Sequence, residues 1–160
     1  MAKDHLDRYV FFYERFVGNQ KSRLESDKGL QKTKSEDLAK LRVRYGSSEG
    51  ELQVITDAWL QIIECRRVLK WSYVYGYYLP ESERVKKELF GYLQGEDESG
   101  LERLHKCAEQ ELKSYLQEND ATEGFDNFRL KLLGLTKSTQ TYFENLVRAL
   151  ENGLSDVDSQ

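Results

Sequence analysis

Apolar residues recur along this chain at three- and four-residue steps, and those steps divide it into four helical segments. The first begins near Asp4 and carries Leu6, Tyr9, Val10, Tyr13, Phe16 and Val17 on one stripe. It continues through Leu24, Leu30, Leu38 and Leu41, with a weak point at Gly18 or Gly29, where glycine lowers helix stability. Tyr45-Gly46-Ser47-Ser48 breaks it. Ser48 and Glu51 then have the spacing of a capping box, which satisfies free backbone N–H groups at a helix start. The second helix runs from there to Tyr78 or Leu79, and Pro80 stops it because proline cannot continue the hydrogen-bond ladder. Glu81 to Gln117 reads as a third region, interrupted or bent around Gly95 to Gly100. A polar connection from Glu118 to Gly124 leads to the last helix, which places Phe125, Phe128, Leu132, Leu135, Thr139, Tyr142, Leu146 and Leu150 at helical steps, with Gly153 as its stop. The pattern predicts an all-α fold, an antiparallel, zinc-free bundle with long first, second and fourth helices, in which residues 1–160 form a single domain.

The stretch from Trp59 to Pro80 is the most informative part of the pattern. It holds both tryptophans, and four of the ten tyrosines fall between positions 73 and 78. Apolar residues at 59, 62, 63, 69 and 73 bury one face, while the aromatics at its end wrap right round the helix. Trp59, Ile62, Ile63, Leu69 and Tyr73 are therefore expected to pack with Phe125, Phe128, Leu132 and Leu146. The aromatic end is either buried on several sides or presents a surface to a partner.

Composition narrows the classes of function. A chain of 160 residues builds one sizeable core. Charged residues at 32%, with one proline, suit helices, and a net charge of −4 argues against general nucleic-acid binding. No apolar run reaches about 18 residues, as a membrane span requires. No basic-then-apolar leader opens the sequence, so the expected setting is intracellular, cytoplasmic or nuclear. Only Cys65, Cys107, His5 and His105 offer soft ligands, and His105 and Cys107 point in different directions on a helix. The cysteines read as two reduced, buried thiols, and the chain as one with no cofactor of its own.

Catalytic signatures are missing: there is no phosphate loop, nucleophile elbow or metalloprotease helix motif. Glu96-Asp97-Glu98 reads as a solvated face rather than an acid–base pair. Between 96 and 123 nine acids stand against three bases, a surface that suits a basic partner. Lys40, Arg42 and Arg44 form one basic patch, and Arg66, Arg67 and Lys70 another. The latter, with Tyr77 and Tyr78, is a candidate partner surface; alternatively Arg66 and Lys70 pair with carboxylates inside the bundle.

Glu64-Cys65-Arg66-Arg67-Val68-Leu69-Lys70-Trp71-Ser72-Tyr73-Val74-Tyr75-Gly76-Tyr77-Tyr78 resembles the core motif of the Ariadne domain, the C-terminal helical region of Ariadne-class RING-between-RING ubiquitin ligases. Arg8-Tyr9-Val10-Phe11-Phe12-Tyr13-Glu14-Arg15-Phe16 is similar to that domain's start. The segments from Phe90 to Glu111 and from Tyr142 to Gln160 are similar to the plant branch, so the resemblance runs from about Leu6 to the end. Two cysteines cannot supply the zinc ligands and active-site cysteine of such a ligase. The resemblance thus implies a regulatory domain, itself not an enzyme, whose parent protein is a zinc-containing E3 ubiquitin transferase.

It implies further that this domain packs on the second RING and restrains ubiquitin transfer until a neddylated cullin–RING ligase engages the protein. In the family the restraining contacts come from a hydrophobic–acidic pair late in the first helix and a glutamate in the third region. Aligning Phe90 and Gln94 puts that glutamate at Glu102. The pair falls at Leu24 and Glu25 with one residue deleted here relative to animal members. The expected partners are the catalytic module in cis and the cullin ligase, with no nucleic acid or membrane, and the domain is expected to be a monomer. Two other readings remain: a generic helical interaction scaffold without a ligase role, and an enzyme using Cys65 or the acidic cluster.

Overall fold

A computed structural model describes residues 2–117 and 124–154, and the expected connection around 118–123 lies outside the described residues. Among those described every regular element is helical. α1 (Ala2–Lys32) passes through a wide π-helical turn, Thr33–Asp37, into α2 (Leu38–Tyr45). α3 (Glu49–Tyr78) is followed by α4 (Arg84–Lys106), a second π turn (Cys107–Glu111), α5 (Leu112–Leu116) and α6 (Phe125–Glu151).

The helix ends form where local chemistry ends them. Gly46 closes α2 in the left-handed region at φ +63°, its N–H bonded to Arg42 O. Ser48 caps α3 by accepting the Glu51 N–H at 3.1 Å, and its hydroxyl donates to the Glu51 carboxylate at 3.2 Å. Leu79, ahead of Pro80, is extended and ends α3. α6 ends at Glu151, and Leu154 folds back into the core behind Gly153. The expected interruption at Gly95 to Gly100 is absent, because α4 continues as one helix through both glycines to Lys106. Gly100 instead seats α4 against α6: Thr139 Oγ1 donates to its carbonyl, and the Tyr142 ring occupies the space beside its Cα. The irregularity comes later, in the π turn at Cys107.

α3 is the central helix. Trp59, Ile62, Leu69 and Tyr73 are buried with Phe125, Phe128, Leu132 and Leu146 of α6 and Leu101 and Leu104 of α4, while Ile63 is half-buried at the margin. Burial of this apolar surface is the main stabilising term. Gly29 lets α1 approach α3 closely: an added Cβ would lie 2.7 Å from the Trp59 ring. Tyr45 stacks on Phe125 with ring centres 4.2 Å apart, tying α2 to the start of α6.

α1 departs from the expected stripe. Leu6, Tyr9, Val10, Tyr13 and Val17 face solvent; Phe12 and Phe16 are half-buried, and the fully buried positions are Asn19, Ser26 and Leu30. The reason lies on α3, which turns Arg66, Lys70 and the carbonyls of its C-terminal end toward α1. Those groups need polar partners, and α1 supplies them.

Candidate functional site

Three helices meet along one polar seam around Arg66. Its side chain is 10% exposed. Nη1 donates to Asn19 Oδ1 on α1 at 3.3 Å, and Nη2 donates to Glu102 Oε1 on α4 at 3.0 Å. Nη2 also lies 3.4 Å from His105 Nδ1. The other ring nitrogen, Nε2, is 2.9 Å from Glu109, and the imidazole stands edge-on to Trp59. Asn19 is oriented in turn by donating to Arg15 O at 2.9 Å. Above the seam is an open groove of about 620 Å³, lined by Ser22 of α1 and by Arg103, His105 and Glu109 of the α4 side among others.

Glu102 stands at this groove with its side chain 69% exposed. Leu24 is 52% exposed on α1, and Glu25 beside it is exposed, three residues after groove-lining Ser22. Ser22 and Glu102 thus share one groove, and helical spacing brings Glu25 to the side of α1 that carries Ser22. Leu24, two residues from Ser22, points about 200° round α1 from it, so the groove brings Glu102 and the Glu25 side of α1 together and leaves Leu24 on another face.

Arg66, Arg67, Lys70, Tyr77 and Tyr78 do not share one outer patch. Arg66 and Lys70 are buried: Lys70 Nζ donates to Gln20 Oε1 at 2.9 Å and sits over the Phe16 and Trp71 rings. Burial without partners would be costly, and each finds one: Arg66 pairs with a carboxylate, Glu102, whereas Lys70 meets an amide oxygen and two rings instead of the expected carboxylate. Only Arg67, bridged to Glu64, and Tyr78, 76% exposed, remain outside, with Tyr77 at a margin. Tyr77 and Tyr78 line a shallow aromatic groove with Tyr9, Tyr13 and Phe16.

Two residues have roles not expected from the sequence. Arg8 caps the end of α3, donating to Tyr77 O at 2.6 Å, Leu79 O at 3.2 Å and Gly76 O at 3.3 Å, and pairs with Glu81. It satisfies carbonyls that a helix end otherwise leaves free. Asp97 is the other. Expected on a solvated face, it is only 1% exposed, and its Oδ2 has no hydrogen-bond partner among the described residues. Burial, with the neighbouring Glu96 charge, raises its pKa to about 7.

The thiols are poor nucleophiles. Burial pushes both Cys65 and Cys107 up to about 12, and for Cys107 the Glu111 carboxylate adds to the effect. Among the described residues no group of three or more His, Cys, Asp or Glu side chains is placed to hold a metal ion, and no helix is long and apolar enough to cross a membrane.

Comparison with known proteins agrees with the sequence motifs. The Ariadne domain family matches residues 7–157. Two relatives from Arabidopsis thaliana, "Probable E3 ubiquitin-protein ligase ARI7" and "Probable E3 ubiquitin-protein ligase ARI8", are 55% and 56% identical over 159 residues. Each alignment covers 99% of this chain and 28% of the relative. "Probable E3 ubiquitin-protein ligase rbrA" of Dictyostelium discoideum is 29% identical over 156 residues, covering 96% of this chain and 28% of the relative. The chain thus spans under a third of the length of these relatives, and it belongs to the Ariadne domain family.

Proposed function

We propose that this chain is the regulatory domain of a RING-between-RING E3 ubiquitin ligase of the plant Ariadne type. It packs on the catalytic second RING, limits access to the active-site cysteine, and releases it when a neddylated cullin–RING ligase engages the protein. The parent is an intracellular, zinc-containing transferase, and the domain contributes contacts rather than chemistry. Leu24, Glu25 and Glu102 make those contacts. The observation that carries this reading is Glu102: its carboxylate is mostly in solvent, yet one oxygen is tied to the interior through Arg66. A side chain presented in that way meets a partner without first having to be ordered.

The test is basal ubiquitin transfer by the intact ligase. Glu102→Ala removes a contact made only in the closed state, so it shifts the population toward the open one. A loss of about 1.4–3 kcal/mol corresponds to a roughly 10–150-fold rise in the open fraction. Leu24→Ala and Glu25→Ala shift it in the same direction, and the isolated domain added in trans slows ubiquitin loading of the catalytic module. Unchanged basal transfer in all three variants, with melting temperatures showing intact folds, overturns the reading. A rise in the Glu102 variant alone moves the first-helix contact away from Leu24 and Glu25.

A further inference from the structure

We propose that Arg66 is a positioning residue for Glu102, holding one carboxylate oxygen against α3 so that the other is presented to the catalytic module; this rests on the regulatory reading above.

The geometry distinguishes the pair from an ordinary surface ion pair. Arg66 is confined: its side chain is 10% exposed, and its two terminal nitrogens address α1 and α4 at once, through Asn19 Oδ1 at 3.3 Å and Glu102 Oε1 at 3.0 Å. Asn19 cannot yield easily, because its own amide is committed to Arg15 O at 2.9 Å. The guanidinium is therefore a fixed, planar fork with one branch on each neighbouring helix. A lysine would carry the same charge as a single point on a flexible stem and could not span both. Glu102 is the exposed member, 69% exposed on a side chain with three rotatable bonds. Without Arg66 it samples solvent rotamers, and each encounter with a partner must order it again. With Arg66 that ordering is already done. The role of the cation is thus to set where a carboxylate points, at a site where it touches no partner itself.

The experiment uses the intact ligase without activator and compares the wild type, Arg66→Lys, Glu102→Gln and the double variant. Arg66→Lys keeps the charge and loses the fork, and is expected to raise basal ubiquitin transfer about five- to tenfold. Glu102→Gln is expected to raise it at least as much. The double variant is expected to match Glu102→Gln alone, because Arg66 acts only through that side chain. A domain loosened without specificity would instead multiply the two effects. Ser72→Ala serves as a control: it removes the Gln94–Ser72 bond in the same α3–α4 seam, and it should lower the melting temperature without changing basal transfer. Where Arg66→Lys does not fold, Asn19→Ala replaces it, since it frees the other branch of the fork, with the same direction and non-additivity expected. A wild-type rate in Arg66→Lys beside a raised rate in Glu102→Gln overturns the positioning role and leaves the regulatory reading standing. Multiplying effects in the double variant also overturn it. A wild-type rate in Glu102→Gln also overturns it, and the regulatory reading falls with it only where Leu24→Ala and Glu25→Ala are unchanged as well.

Discussion

Replacing Asp97 with asparagine should make the domain more stable at pH 8 and leave it nearly unchanged near pH 4. Asp97 is buried with an unbonded Oδ2, and burial together with Glu96 raises its pKa from 3.8 to about 7. Between those values the folded chain keeps a proton that the unfolded chain has lost. The unfolded state then binds fewer protons, so stability falls as pH rises through this window and levels off above about pH 7. A tenfold change in proton affinity is worth about 1.4 kcal/mol, and the rise to about 7 makes the penalty above neutrality about 4 kcal/mol. Asparagine carries no such penalty. The difference between variant and wild type should therefore grow by about 1.4 kcal/mol per pH unit from pH 4 to 7 and then stay flat. Asp37 is shifted up and Glu64, Glu81 and Glu111 are shifted down, so the wild-type profile alone is a sum of opposing slopes. Only the difference isolates Asp97. Urea unfolding of both proteins at pH 5, 6, 7 and 8 measures it. A difference that does not change with pH, or an asparagine variant less stable at pH 8, would refute a buried, desolvated carboxyl at this position.

Other consequences of the packing are as open to measurement. Gly29→Ala should destabilise by about 1–3 kcal/mol, despite alanine's better helix propensity, because its Cβ would press on the Trp59 ring at 2.7 Å; a higher melting temperature would show that α1 and α3 are not so close. Ser48→Ala should cost about 1 kcal/mol, readable by urea unfolding, through loss of the bond from the Glu51 N–H. Both thiols, pushed up to about 12, should resist alkylation at pH 8 in the folded domain and react at ordinary rates in urea; fast labelling of Cys65 under native conditions would contradict its burial.

Much of this architecture was legible in the chain because the relevant signals are local. Ser48 with Glu51, Gly46, and Pro80 after Leu79 each set a helix boundary through backbone groups a few residues away. The α3–α6 core followed from periodicity. The face of α1 did not, since its partner surface on α3 is polar at Arg66, Lys70 and the C-terminal carbonyls, and a hydrophobic stripe alone then does not tell which side is inward. Asp97 was misread through its neighbours: Glu96 and Glu98 suggested solvent, although Phe90, Gln94, Asp97, Leu101 and Leu104 share one helical stripe. Glu102, Leu24 and Glu25 came from family resemblance, as nothing in their own chemistry distinguishes them from other surface residues. The Arg66–Asn19 bond joins residues 47 apart, and no rule of spacing within one helix could have found it.

The polar inner face of α1 also works as a vernier. Two helices joined by apolar surface can slip along each other at modest cost, because one leucine replaces another. Here a displacement by one turn, about 5.4 Å, would separate Arg8 from its carbonyls, Asn19 from Arg66 and Gln20 from Lys70 all at once. Directional bonds at two levels of α1, at Arg8 and at the Asn19–Gln20 pair, leave a single register in which every one of them closes. The position of α1 along α3 is therefore held to a fraction of a turn, as a mark on a rigid gauge would be.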